Sequence, residues 1–257
     1  MVKAIFFDFD GTLLSFETHE IPPSTLQALE QLREKGIKIF LATGRAPGVS
    51  DFIKEIFEFD AYIYMNGQYC VDKGELVHHY PMDKEDVLAL IEQSYTNKYS
   101  YCFVDHMHSH MDKISPELTQ VYEDVDQPIP KLVDAQTMAN KTIYQVLATV
   151  PVGEEHIITD VAKNVEIARW HPLFVDVIPA NGGKHQGVEV MLKRYNIDVK
   201  HSMAFGDGEN DISMIKYVNF GIAMGNASDI VKEAADHVTT TVDEDGIMNA
   251  LKYFKVL

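Results

Sequence analysis

Along the first quarter of the chain, short apolar runs closed by turn residues alternate with segments of helical period. "AIFF" (4–7) is followed by "PPSTLQALEQLREKG" (22–36), "IKIFLA" (37–42), "PGVSDFIKEIF" (47–57) and "AYIYM" (61–65). The runs predict strands and the periodic segments predict helices. The first helix has proline at its opening and Gly36 at its end, the expected start and stop signals. A βαβαβ rhythm implies a parallel sheet covered on both faces. The rhythm resumes from His201 with "HSMAF", "DISMIKYV", "NFGIAM", "DIVKEAA" and "DEDGIMNALKYF".

The middle differs. From about Met82 to Ile178 the pattern predicts a helix in "KEDVLALIEQSY", strands in "YSYCFVDH" and "TIYQVLATV", a second helix in "GEEHIITDVA" and final strands in "VEIARW" and "LFVDVI". Strands following strands, punctuated by Pro128, Pro130, Pro151 and Pro172, suggest an antiparallel sheet with helices on one face. "QYCVDKGELVHHYP" reads as a hairpin around Lys73 and Gly74. The predicted class is α/β: a Rossmann-like, doubly wound core of residues 1–82 and 179–257 carrying an inserted α/β domain of residues 83–178. No repeat or low-complexity segment interrupts this division.

Composition narrows the partners. The 257 residues are 46% hydrophobic, enough for one large domain or two modest ones, each with its own core, and the formal net charge is -17. No Lys/Arg run stands out, so a nucleic-acid backbone would be repelled rather than steered in. The same charge repels a small phosphate ester, so a site for one must supply local positive charge. Cys70 and Cys102, each in apolar surroundings, suit reduced, buried thiols better than a disulfide framework. The chain shows neither a targeting segment nor an apolar run of about 18 residues, so the expected location is cytoplasmic, with no membrane partner.

The candidate chemistry starts at "KAIFFDFDGTLL" (3–14), where a strand runs into Asp8 and Asp10. Neighbouring carboxylates that are partly desolvated call for a compensating cation or proton. Thr43 and Gly44 follow the second strand, and Gly206 and Asp207 follow "SMAF". Ligands of doubly wound sheets bind outside the carboxyl ends of the strands, so these clusters are expected to converge. Asp207 and Asp211, spaced i, i+4 at a helix opening, would add two acids to the site. A hard divalent ion resolves such crowding, and Mg2+ takes carboxylates, waters and a phosphate oxygen. Thr43 offers a hydroxyl, Gly44 a backbone N–H, and Lys184 in "NGGKHQG" a point charge at another helix opening, which together would hold phosphate. Asp8 is then the candidate nucleophile, through an aspartyl-phosphate, and Asp10 the general acid and base.

"DFDGTL", "ATGR", Lys184 and "GDGEND", in this order and spacing, resemble the four motifs of the haloacid dehalogenase superfamily of phosphatases. "GIAMGNASDIVKEAADHVT" with "DEDGI" resembles the Cof-type branch. The resemblance covers the core and, more weakly, the insert. About thirty residues separate Asp10 from Thr43, room for a loop and one helix but not a domain. The insertion after the third strand is therefore similar to the family's type IIB α/β cap. The resemblance implies that Asp8 is nucleophile and Mg2+ ligand, and that Asp10 is acid/base and gives the metal its carbonyl. It further implies that Thr43 and Lys184 hold phosphate, that Asn210 contacts it, that Asp207 binds Mg2+, and that Asp211 orients Lys184 or metal waters. The expected partner is a small phosphorylated metabolite, most readily a sugar phosphate, with the protein a monomer or weak homodimer. A phosphomutase of related architecture and a non-catalytic sugar-phosphate sensor are the alternatives.

Other features read more plainly. Asn66 and Gly67 signal a turn first and a pocket-lining loop second. His106, His108 and His110 alternate, would share one strand face, and suggest a cap surface near the substrate more than a zinc site, for which no fourth ligand is identifiable. Arg169 and Trp170 could face a pocket, with sheet packing the simpler reading for the tryptophan.

Overall fold

The computed structural model describes residues 1–124 and 128–257. The chain divides into two compact units, one of Met1–Gly44, Phe52–His79 and Gly183–Leu257, the other of Arg45–Asp51 and Tyr80–Gly182.

The first stretch contributes β1 (Ala4–Phe7), α1 (Pro23–Glu34), β2 (Lys38–Ala42), α2 (Asp51–Ile56), β3 (Ala61–Tyr64), β4 (Tyr69–Asp72) and β5 (Glu75–His79). The insert follows with α3 (Lys84–Thr96), β6 (Tyr101–Val104), β7 (Ser109–Met111), α4 (Pro116–Asp124), β8 (Lys131–Leu132), β9 (Gln145–Ala148), α5 (His156–Thr159), β10 (Val165–His171) and β11 (Phe174–Pro179). The chain then returns with α6 (Lys184–Arg194), β12 (Ser202–Gly206), α7 (Ile212–Tyr217), β13 (Phe220–Ala223), α8 (Asp229–Ala234), β14 (His237–Val238) and α9 (Gly246–Tyr253).

The first unit is built on an eight-stranded sheet of order β14-β13-β12-β1-β2-β3-β4-β5. Its pairs from β14 to β3 are parallel, and β4 and β5 add an antiparallel hairpin at one edge. Alternation along the strands assigns the two faces. Ala4, Phe6, Phe40, Ala42 and Ile63 pack with Val188, Met191 and Leu192 of α6 and Met214 of α7. Ile5, Phe7, Ile39 and Leu41 point to the opposite face, where α1 and α9 pack against each other. β1 lies between β12 and β2 at the centre, and its C-terminal end delivers Asp8.

The second unit holds a six-stranded sheet of order β10-β11-β9-β6-β7-β8, antiparallel except for β7 with β8. Tyr101, Phe103, Val146, Ala148, Val175 and Val177 form its core with Val87, Leu90 and Ile91 of α3 and Ile158 of α5. The expectation of helices on one face only is corrected by α4. Cys102 alternates with Tyr101 and Phe103, and the Tyr122 hydroxyl of α4 lies 3.9 Å from its sulfur, so α4 covers the reverse side. The helix expected over "GEEHIITDVA" is a single turn, α5, and that over "PGVSDFIKEIF" is a 3-10 turn (Pro47–Val49) followed by the short α2. Both cysteines are buried free thiols, pushed up to about 12 by burial. Among the described residues no helix is long and apolar enough to cross a membrane.

Candidate active site

All the predicted core residues lie in the first unit, at or just beyond the carboxyl ends of β1, β2 and β12, or at the start of α6. Asp8 follows β1, whose four residues are fully buried, so the strand sets the position of the carboxylate. Lys184 opens α6, is itself fully buried, and places its ammonium 2.5 Å from Asp8 Oδ1 and 2.6 Å from Asp211 Oδ1. Asp211 ends the 3-10 turn after β12, and its other oxygen, Oδ2, accepts from the Asp207 and Gly208 N–H groups at 2.9 Å each. The Thr12 hydroxyl donates to Asp207 Oδ1 at 2.7 Å. Asn210 Nδ2 donates to Asn66 Oδ1 at 3.0 Å. Thr43, buried just past the end of β2, donates its backbone N–H to the Ile63 carbonyl of β3 at 2.8 Å.

The acids thus meet, as the spacing of Asp207 and Asp211 anticipates. Asp8, Asp207 and Asp211 each offer a carboxylate oxygen within 4.8 Å of the others. The Asp10 side chain is not one of these three.

The electrostatics follow from that crowding. Burial first, and the Asp211 charge second, push the Asp8 carboxyl up to about 8 despite the adjacent ammonium. Asp207 is raised well above the usual carboxylate range by burial and by Asp8. For Lys184 burial works to release the proton, but Asp211 and Asp8 outweigh it and hold the ammonium charged. Ionised together, three carboxyls against one ammonium would leave negative charge, which a second cation could neutralise in place of protons, and an all-oxygen donor set suits Mg2+.

Two supporting residues escaped the sequence reading although both stand inside motifs it quotes. Thr12, in "DFDGTL", anchors Asp207. Asn226, in "GIAMGNAS", donates to the Gly11 carbonyl at 2.8 Å and accepts from the Val242 N–H at 3.1 Å, tying the loop after β1 to the loop after β13. Their signal was a polar residue in a fixed motif place, whose partner only the fold reveals.

Residues 5–251 match the haloacid dehalogenase-like hydrolase family. The chain belongs to that family. As a haloacid dehalogenase-like hydrolase it is 34% identical over 263 residues to YkrA of Bacillus subtilis (strain 168), provisionally named a phosphatase, covering 99% of this chain and 98% of that one. It superposes on the HAD subclass IIB sugar phosphatase BT4131 with a TM-score of 0.93 and 35% identity over the whole of both chains. A structure from a phosphoryl-transfer superfamily with a conserved trigonal-bipyramidal intermediate matches over the same full lengths, with a TM-score of 0.95 and 35% identity. This hydrolase is therefore of the phosphatase type, with the parallel core and inserted cap of subclass IIB.

The histidine run of this hydrolase is not a strand face. His106 and His108 lie in the turn between β6 and β7, and only His110 is in a strand, which corrects the shared-face expectation. The donor atoms that approach one another belong to Asp105, His108 and His110. Lys141 already supplies a cation there, its Nζ 2.8 Å from both Asp105 Oδ2 and His110 Nε2. Burial works to raise the Asp105 carboxyl, but the Lys141 ammonium and the N–H groups of Met107 and His108 outweigh it and hold it well below the usual range. A depressed folded pKa contributes stability above the unfolded value of about 3.9 that is lost as pH falls through the folded one. Asp105→Asn is thus expected to cost roughly 1–3 kcal/mol at pH 7, a deficit that shrinks below about pH 4. Urea unfolding at the two pH values checks this, and an equal deficit at both would refute it. The Arg169 guanidinium binds Glu155 Oε1 at 2.6 Å and the Val150 carbonyl at 2.9 Å, all within the cap unit. The side chain of Trp170 lies outside the described residues.

Proposed function

We propose that this hydrolase is a Mg2+-dependent phosphatase of small phosphate monoesters, most readily sugar phosphates, working through an aspartyl-phosphate on Asp8. The observation that carries the reading is the Lys184 ammonium held between Asp8 and Asp211, beside Asp207, at one set of strand ends. That ammonium, together with a bound divalent cation, would supply the local positive charge a phosphate ester needs near a chain of net charge -17. The relation to a subclass IIB sugar phosphatase supports the substrate class.

Asp8, Asp207 and Asp211, with the Asp10 carbonyl, would hold Mg2+ directly or through its waters. When bound, the ion withdraws charge from the phosphoryl oxygens and lessens the repulsion among the acids. An Asp8 oxygen forms the bond to phosphorus while the bond to the ester oxygen breaks, and Asp10 donates its proton to that leaving oxygen. Asp10 then takes a proton from water as the water oxygen attacks phosphorus and the bond to Asp8 breaks. The Lys184 ammonium, the Thr43 hydroxyl, the Gly44 N–H and the Asn210 amide bind the phosphoryl oxygens and balance their charge.

Phosphate release from sugar phosphates, nucleotides and phosphorylated cofactors, with Mg2+ or with EDTA, tests the proposal. Turnover that needs the metal supports it, and the panel ranking identifies the substrate class. Isomerisation without free phosphate would replace it by a phosphomutase, and tight binding without turnover by a sensor.

Gly11 offers a second check. It has φ +82°, and a Cβ there would lie 2.2 Å from Asp207 Oδ2. Gly11→Ala should strain the loop by about 1–2 kcal/mol and displace Asp207. The Mg2+ concentration for half-maximal activity is expected to rise about ten-fold or more. A metal titration at saturating ester reads this, and an unchanged midpoint would remove Asp207 from the ligand set.

A further inference from the structure

The turn after β3, beside the site, runs through three successive residues of positive φ. Met65, Asn66 and Gly67 adopt φ of 49°, 54° and 97° in succession. For a side chain such as that of Met65 this conformation costs about 1–2 kcal/mol, and it persists only where the surroundings impose it. The surroundings here are three segments of the site. The Asn66 N–H donates to the Thr43 carbonyl at 3.1 Å. The Asn66 side-chain Oδ1 accepts from Asn210 Nδ2 at 3.0 Å. Gly67 backs onto the start of α6, where a Cβ would lie 2.4 Å from the Gly183 carbonyl oxygen and 3.3 Å from Lys184 Cα. Asn66 itself is 1% exposed.

We propose that Asn66 is a positioning residue that aligns the phosphate-binding groups, acting above all through the amide of Asn210. The inference rests on the phosphatase reading, because it takes Thr43, Lys184 and Asn210 as the phosphoryl ligands. One Nδ2 proton of Asn210 is committed to Asn66, which fixes the amide plane and leaves the second proton for a phosphoryl oxygen. Without that anchor, Asn210 orders its side chain only when the ester binds. A strained turn touching the segments of three ligands explains why asparagine, which tolerates φ above zero and brings an acceptor, stands at this position.

Asn66→Gly is the discriminating variant, since glycine keeps the left-handed backbone and removes only the amide. KM for the best ester and Ki for inorganic phosphate should each rise about three- to ten-fold, the cost of ordering one side chain. The kcat should stay within about two-fold, as expected for an interaction made equally in ground and transition states. Asn66→Gly in an Asn210→Ala background should add nothing further. A full effect in that background, or a lowered melting temperature with KM and Ki unchanged, would overturn the positioning role. If the wild type released no phosphate from any ester, the phosphatase reading would fail instead. The shift in melting temperature with inorganic phosphate, compared between wild type and Asn66→Gly, would then decide the role of Asn66 by itself.

Discussion

Asp8→Asn should release no phosphate above background from any ester that the wild type hydrolyses, a loss of at least about 10⁴-fold in kcat. The change replaces one oxygen by a nitrogen of similar size and removes the lone-pair oxygen that would bond to phosphorus. It also removes one of three crowded carboxylates, so charge repulsion falls rather than rises. Lys184 keeps Asp211 as its partner at 2.6 Å, and its charge remains paired. The fold should therefore survive, with a melting temperature within a few degrees of the wild type. Inactivity with intact folding separates a missing nucleophile from a collapsed site. Substantial phosphate release from a clean preparation would sink the assignment of Asp8.

Lys184→Met should act on stability as well as turnover. The ammonium is buried and bound to two buried carboxylates, Asp8 and Asp211, which the substitution would leave without their cation. Breaking a buried pair by removing one partner costs about 3–5 kcal/mol, or a fall of about 10 °C in melting temperature for a chain of this size. Mg2+ should restore part of that loss, because a ligand bound only by the native state stabilises it. Melting curves in EDTA and in excess Mg2+ check both statements. A midpoint in EDTA within about 2 °C of the wild type would show that Asp8 and Asp211 accommodate the loss by taking up protons.

Much of the core was legible because its signals are local. Apolar runs ending in "DFDG", "ATGR" and "FGDG" mark strands delivering polar residues at their carboxyl ends, and a parallel sheet turns that pattern into one site. Lys184 was readable only from its order among the motifs, yet it is the residue that binds two of the acids. The insert was harder, for a physical reason. β7 and β8 have three and two residues, too short for a period to register, and α4 shows only Leu118 and Val121 buried. The alternating histidines imitated a strand because a tight hairpin turn can carry the same spacing. Asp105 and Lys141 lie 36 positions apart in sequence, and nothing in either neighbourhood announces the pair. Asn66 was legible as a turn residue, but its bond to Asn210, 144 residues away, required the folded sheet.

The strand order of the core also bears on synthesis. β1 is made long before β12, whose residues pair Ala4 with Ser202 and Phe7 with Phe205. A chain emerging from the ribosome would therefore carry one open edge of its central strand until Ser202 and the rest of β12 had been made. The cap sheet, in contrast, pairs only strands lying between Tyr101 and Pro179, and all of them precede β12 in the chain. Pairings across long stretches form slowly and leave apolar edges exposed to aggregation, whereas contiguous ones close early. Chains truncated before His201 should thus accumulate with a folded cap and a core left open along β1, and the chaperone demand of this protein should fall on that edge rather than on the insert.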